Sequence, residues 1–419
     1  MTTTRPVSPA GPRRLLALAQ LTNSVGDGAY LVTSALYFTR VVGLAPARIG
    51  LGLTLAWAIG SVAGVPLGRL ADRRGPRGTA VLLALTTGAA VASFLVVRSF
   101  VPFLLAACLY ATAQSGLAAA RQSLLAGLVD EAERTATLAR LQATLNAGLA
   151  VGAALGGVAL RSGTTGAYLM VFAVDAASFL VCALLLARLP RVAPAPSTTG
   201  ERGGPSVLKD RPYVVVALLN TVLLLRMPLL SLGIPLWITQ RTAAPAWLVS
   251  ALFVLNTGAV MLFQVRTARS VRGLESAVRA VRRSGAVMLA ACAVFALSAV
   301  GSRPWVAAAA LVAGSVLLVA AEMLHSAGSW QIGFDLAPAD RIGEYQGLFG
   351  TGVTVARTLG PLLLTALLVD WGSPGWLVLG GMILLASYAM GPAALRGARR
   401  TAPAVPAPAA TPVPSGQSG

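Results

Sequence analysis

Apolar residues run along this chain in long blocks, roughly 15–39, 49–68, 78–97, 101–121, 138–160, 164–187, 213–238, 245–265, 284–302, 304–329, 347–369 and 374–395, separated by charged or Gly/Pro-bearing connections. At 1.5 Å per residue, blocks of about 20 residues cross a hydrocarbon layer of about 30 Å. The blocks are rich in Ala and Leu and do not alternate over about ten residues as barrel strands do. Lipid offers no partner for backbone N–H and C=O groups, so such blocks fold as helices that satisfy them internally. The pattern predicts an all-α integral membrane protein with 12 transmembrane helices. Pro190 to Arg211 is the longest polar interruption inside the chain and divides the spans six and six. The expected units are a tail 1–14, a six-helix bundle 15–189, a linker 190–212, a second six-helix bundle 213–397 and a Pro/Ala-rich tail 398–419, which has little to bury and is expected to be disordered.

Composition removes the soluble alternative. Hydrophobic residues make up 56% of the 419, charged residues only 11%, and mean hydropathy is +0.75, so the chain cannot build the water-facing surface of ordinary domains. Net charge is +19, which in a soluble chain suggests nucleic acid. Here 25 of the 33 basic residues fall in the tails and on one side of the predicted spans, six on the other, and only Arg226 and Arg357 lie deep within the membrane. The positive-inside rule accounts for this and places both termini in the cytoplasm, leaving no basic surface for a nucleic acid. Arginine almost excludes lysine and alanine is abundant, as in a high-GC bacterium, so the expected location is a bacterial cell membrane. Cys108, Cys182 and Cys292 stand singly and read as small core residues. The first span is too long for a signal peptide.

The halves resemble each other at an offset near 200: Ala35 to Thr39 matches Pro235 to Thr239, the segment ending at Arg134 matches the one ending at Arg341, and Gly152 matches Gly360. A duplicated six-helix unit explains the order of these matches. After span two comes Gly68-Arg-Leu-Ala-Asp72-Arg73-Arg-Gly75-Pro-Arg77, which resembles the cytoplasmic loop motif of the major facilitator superfamily. The resemblance, covering about residues 13 to 397, implies two six-helix bundles and a gate in which Asp72 faces the start of helix eleven near Gly347 to Phe349, where the helix dipole favours a carboxylate. The equivalent loop of the second half, Arg266 to Gly273, keeps the charge but has no Asp. Span five carries Gly148, Gly152, Gly156 and Gly157, similar to the glycine motif of the superfamily's antiporters, with Ala153 at the usual proline; the same spacing also makes an ordinary close-packing face. Gly360-Pro361 in span eleven is a candidate kink. Leu336 to Gly347 and Ala119 to Gln122 are similar to segments of bacterial drug exporters of the superfamily, yet Ala111 stands where many proton antiporters carry an arginine.

Ionisable groups inside a membrane cost at least about 2.5 kcal/mol each and ask for a reason. Asn23, Asp27, Tyr30 and Ser34 step by 4, 3 and 4 along helix one and make a polar stripe. The resemblance implies that helices one, four, seven and ten line a central cavity, which makes Asp27 the leading proton or substrate site, with Asn23, Tyr30 and Gln114 beside it. Glu322 on span ten is a second candidate or a structural partner for an arginine. Arg226 and Arg357 are open to two readings, neutralising the acids or attracting an anionic substrate. Asp175 is expected to pack with Ser178; Arg121, on one face of span four with Tyr110 and Gln114, to sit at the cytoplasmic mouth or snorkel to the surface; Trp57 to pack or line the cavity; and Trp237, Trp247, Trp305, Trp371 and Trp376 to form an interfacial belt. His325 is the lone histidine, so no metal site is expected, and no P-loop calls for a nucleotide. No cofactor and no enzymatic activity are implied. The reading is a monomeric secondary transporter that exports a small amphipathic drug or metabolite against protons by alternating access; an importer or uniporter of the same fold and a non-transporting receptor are the alternatives.

Overall fold

The structure, a computed structural model, describes residues 10–193, 206–245, 247–300 and 303–401. The expected tails before residue 10 and after residue 401, and most of the linker, lie outside the described residues. Among those described there is no strand, and the helices are α1 (Ala10–Arg40), α2 (Pro46–Arg74), α3 (Pro76–Ser93), α4 (Phe100–Leu128), α5 (Glu131–Ser162), α6 (Thr165–Ala187), α7 (Arg211–Leu224), α8 (Gly233–Arg241), α9 (Leu248–Ser270), α10 (Gly273–Leu297), α11 (Pro304–Asp335), α12 (Ile342–Leu364) and α13 (Ser373–Thr401). Ten helical segments are long and apolar enough to cross a membrane. Of the other three, α8 has only 9 residues, and α1 and α3 are diluted by polar residues such as Asn23 and Asp27 or Arg77 and pack within the first half. Large apolar side chains, among them Val62, Leu105, Leu262 and Leu385, stay exposed, a surface that needs lipid rather than water. This is a multi-pass membrane protein.

Helix boundaries follow local chemistry. Prolines open α2, α3 and α11 in the first turn, where a missing N–H costs nothing. Thr164 and Asp210 accept backbone N–H groups at the starts of α6 and α7. The connection between α2 and α3 is a single residue, Gly75, at φ 98°, which other residues rarely adopt. The continuous seventh helix expected over 213–238 is broken. Pro228, lacking an N–H, ends it in a 3₁₀ turn at Met227–Leu229, and the chain restarts as α8 at Gly233. Gly360 sits against the Pro228 ring, where an added Cβ would lie 2.5 Å from Cγ. Pro361 is followed by a π-helical turn, Thr365–Asp370, at the expected kink.

Each half has its own core. In the first, Tyr30, Tyr37, Phe38, Phe94, Phe103 and Phe172 make one aromatic cluster. In the second, Trp237 and Trp376 are fully buried, 5.7 Å apart edge to face, with the Trp237 indole N–H donating to Ser298 Oγ at 2.9 Å. This corrects the aromatic belt, to which only the exposed Trp247, Trp305 and Trp371 conform. A third apolar cluster joins the halves: Leu125, Ala126, Val129 and Leu138 against Phe334 and Ile342.

The glycines of α5 hold α1. A Cβ on Gly152 would stand 2.0 Å from the Val25 carbonyl, Gly148 meets Ser24, Gly156 meets Val32, and Gly28 of α1 returns the contact onto Leu149. Gly157 faces open space. Gly152→Ala is therefore expected to destabilise the protein by about 1–3 kcal/mol through overpacking, whereas Gly157→Ala stabilises slightly or is neutral. Thermal unfolding of the two variants in detergent checks this, and equal melting temperatures would sink the packing account.

Candidate functional site

Where the halves meet, α2 and α12 touch backbone to backbone. An added Cβ at Gly68 would lie 2.0 Å from the Gly343 carbonyl, and one at Gly347 would lie 2.4 Å from that of Gly64. One turn further, Thr351 Oγ1 donates to the Ser61 carbonyl at 3.1 Å. This contact lies near the end of the bundle that carries both described termini. Beyond Ser61 and Thr351 the helices part, and Trp57, Thr54, Thr354, Arg357 and Thr358 line the space between them.

Asp72 ties the two halves together at this end. Its carboxylate accepts the backbone N–H groups of Gly343 and Glu344, both at 2.9 Å, and the Ser123 hydroxyl at 2.8 Å. The expected position near Gly347 to Phe349 is corrected by one turn, because α12 begins at Ile342 and the free N–H groups are at its first residues. Beside it the buried Glu344 accepts from Arg341 at 2.9 Å and from the Val207 N–H at 3.0 Å, with Arg69 4.0 Å away. Arg77 caps the end of α6 through the Leu189 carbonyl at 2.8 Å, and Arg73 is exposed. On the other side of the closure, Thr135 of α5 donates to Gln331 of α11 at 2.5 Å, and Arg134 stacks over the Phe334 ring at 6.0 Å.

Above this floor is a cavity of about 810 Å³. The expected helices one, four, seven and ten line it through α1, α4, α7 and α11, and α2, α5 and α12 contribute as well. Asp27 is the acidic side chain on its wall among the described residues. Asn23 Nδ2 donates to one carboxylate oxygen at 2.7 Å, and Tyr110 and Gln114 donate to the other at 3.3 and 3.5 Å. Tyr30, expected on the same polar stripe, does not line the cavity. It is buried in the aromatic cluster, 5.6 Å from the Tyr110 ring. Trp57 and Arg121, for which packing and snorkelling are the first expectations, both line the wall. Trp57 faces the cavity, and Arg121 does not snorkel; it donates to Gln20 Oε1 at 3.3 Å and to Cys182 Sγ at 2.9 Å, within the field of Asp27. Asp175 is fully buried against Gly26 and takes the Ser178 hydroxyl at 3.4 Å.

The second half holds a chain of polar groups. Arg226 reaches Glu322 at 3.5 Å and His325 Nδ1 at 3.0 Å, and His325 Nε2 meets Asn220 Oδ1 at 3.1 Å. Because a guanidinium only donates, Nδ1 is the accepting nitrogen and the ring is neutral with its proton on Nε2. Glu322 also accepts from Asn256 of α9 at 3.4 Å and lies off the cavity wall. Arg357 is on the wall, exposed to the cavity, with no hydrogen bond or ion pair among the described residues. Glu344, Asn220 and Gln20 escape sequence reasoning, although Gln20, Asn23 and Asp27 step by 3 and 4 and extend the legible stripe by one turn. Among the described residues no cluster of His, Cys, Asp or Glu could hold a metal ion.

The Major Facilitator Superfamily profile matches residues 16–361. Among curated proteins, none matches this chain by sequence. The fold is similar to that of a bacterial homologue of the iron transporter ferroportin in an outward-facing state, at TM-score 0.70 and 14% identity over 93% of this chain and 99% of that one. It is also similar to the E. coli fucose:proton symporter, at TM-score 0.70 and 12% identity over 93% and 99% of the two chains. A human organic anion transporter matches at TM-score 0.63 and 15% identity, over 92% of this chain and 100% of that one.

Proposed function

The chain belongs to the major facilitator superfamily, so it is a transporter and not an enzyme, and we propose that it exports a small amphipathic molecule from a bacterial cell in exchange for protons. The observation that carries this reading is Asp27. It is the acidic group on the wall of a cavity otherwise lined by apolar, amide and hydroxyl side chains and by cations, and a titratable carboxylate there links proton binding to the state of the cavity. With the basic terminal face in the cytoplasm, closure at Asp72 and Gly68 makes this the outward-open state, in which substrate leaves and a proton enters. Asp27 releases its proton after the halves rock to the other side. The protein works as a monomer in the bilayer and needs no cofactor, since proton binding alone biases which side is open.

The experiment is a susceptibility screen in a host lacking its main exporters, followed by everted vesicles with an acidified lumen. Each compound to which the protein confers resistance is expected to dissipate the pH gradient when added, and dissipation is expected to vanish without the protein. Gradient formation on adding the compound, or accumulation in right-side-out cells, identifies an importer instead. Topology is tested by reporter fusions. Those after Pro190 and Arg400 should read cytoplasmic and one after Arg98 external; a cytoplasmic reading after Arg98 overturns the orientation.

A further inference from the structure

The two membrane arginines, equivalent in the sequence, are separated by their surroundings. Arg226 is committed to Glu322 and His325 and lies off the cavity wall. The intramembrane acids are not free to meet it: Asp27 is held by Asn23, Tyr110 and Gln114 within the field of Arg121, Glu322 by Arg226 and Asn256, and Asp175 is shut into the packing of α1 on α6, where it takes the Ser178 hydroxyl. That leaves Arg357 on the wall, with no carboxylate within ion-pair distance among the described residues. A guanidinium cannot shed its proton, so on this exposed wall it is left to water or to an anion that enters the cavity.

The wall as a whole has the same bias. Its charged members are Asp27, Arg121 and Arg357, a net positive site whether or not Asp27 carries a proton. Continuing the α2–α12 register from Gly68/Gly343 and Gly64/Gly347 puts Arg357 level with Thr54 and Trp57, beyond the contact between the two helices. Apolar surface from Trp57, Trp330 and Phe349 lines the same space.

We infer that the substrate is an amphipathic organic anion, a carboxylate or sulfonate on an aromatic or aliphatic body, whose head group is held by Arg357. The planar fork of the guanidinium donates two N–H groups to such a head, a geometry that lysine cannot reproduce. The body lies against the aromatic walls. This rests on the reading that the cavity is the transport site. It is independent of direction, because coupling is set by which loaded forms can close.

The test uses the purified full-length protein in detergent, by calorimetric titration with three ligands that share one ring system: 1-naphthaleneacetate, 1-naphthylmethanol and 1-naphthylmethylammonium. The anion is expected to bind about 10- to 100-fold more tightly than the other two. Arg357→Gln should bring it to the level of the alcohol while the alcohol's own affinity stays unchanged, which also certifies that the cavity has folded. Arg357→Lys should retain only part of the preference. A wild type that binds the alcohol or the cation as tightly as the anion, or none of the three, overturns the inference, as does an Arg357→Gln variant that keeps the preference. Binding is read without a gradient, so such a failure leaves the proton-coupled reading standing, and a failed vesicle assay leaves the anion site standing.

Discussion

Asp27→Asn is expected to abolish gradient-driven accumulation while leaving membrane insertion intact. For one proton exchanged per substrate, each unit of pH difference sustains an accumulation ratio of about tenfold, equivalent to about 1.4 kcal/mol. An amide at position 27 takes up no proton, so the ratio should fall to one at any imposed gradient. Three groups, Asn23, Tyr110 and Gln114, donate to the carboxylate, and an amide oxygen cannot serve them all. Some loss of stability is therefore expected alongside the loss of coupling. The two are told apart by exchange: preloaded vesicles without a gradient should still swap labelled for unlabelled substrate. Full gradient-driven activity in Asp27→Asn passes the coupling role to another group or makes the protein a uniporter.

The second large effect is expected at the gate. Asp72 is a buried carboxylate whose partners include two N–H groups in the buried first turn of a helix on the other half. Asparagine keeps an acceptor but loses the charge, together with its interaction with the helix dipole, and hydrogen bonds to a charged group are each worth about 1.5–3 kcal/mol. A loss of about 3 kcal/mol from the closed terminal face shifts the balance of closed to open forms by about 100-fold. Spin labels at Ala132 and Ala339, which are exposed on opposite halves near that face, read the shift as a lengthened distance in Asp72→Asn, in a background with Cys108 replaced. Transport should fall with it. An unchanged distance and normal transport reduce the loop to a turn that sets topology.

These two residues differ in how they could be found. Asp72 stands in a motif whose glycines and charges are contiguous, so the sequence shows both the residue and its place at a helix connection. Its partner was legible only to within a turn, because the first residues of α12 are polar and a hydropathy block misses them. Glu344 was passed over for the same reason, although it is more deeply buried than Asp72. Asp27 was legible as the centre of a stripe at helical spacing. Tyr30 on that stripe turned away, because an aromatic ring gains more from the cluster of Phe94, Tyr110 and Phe172 than from a wet wall.

Periodicity and composition by themselves determined that this is a multi-pass helical membrane protein, because that depends on free energies of transfer that sum along the chain, and the Gly68–Arg77 motif carried the family resemblance. Pairing between distant residues depends on rotation and depth of helices that hydropathy does not encode. Only the tertiary structure therefore decided that Arg226 is neutralised and Arg357 is not, that Arg121 turns inward, that Trp237 and Trp376 are core, and that the seventh span breaks at Pro228. A charge inside a membrane is visible in a sequence; whether a partner meets it is a matter of a few ångströms across helices far apart in the chain.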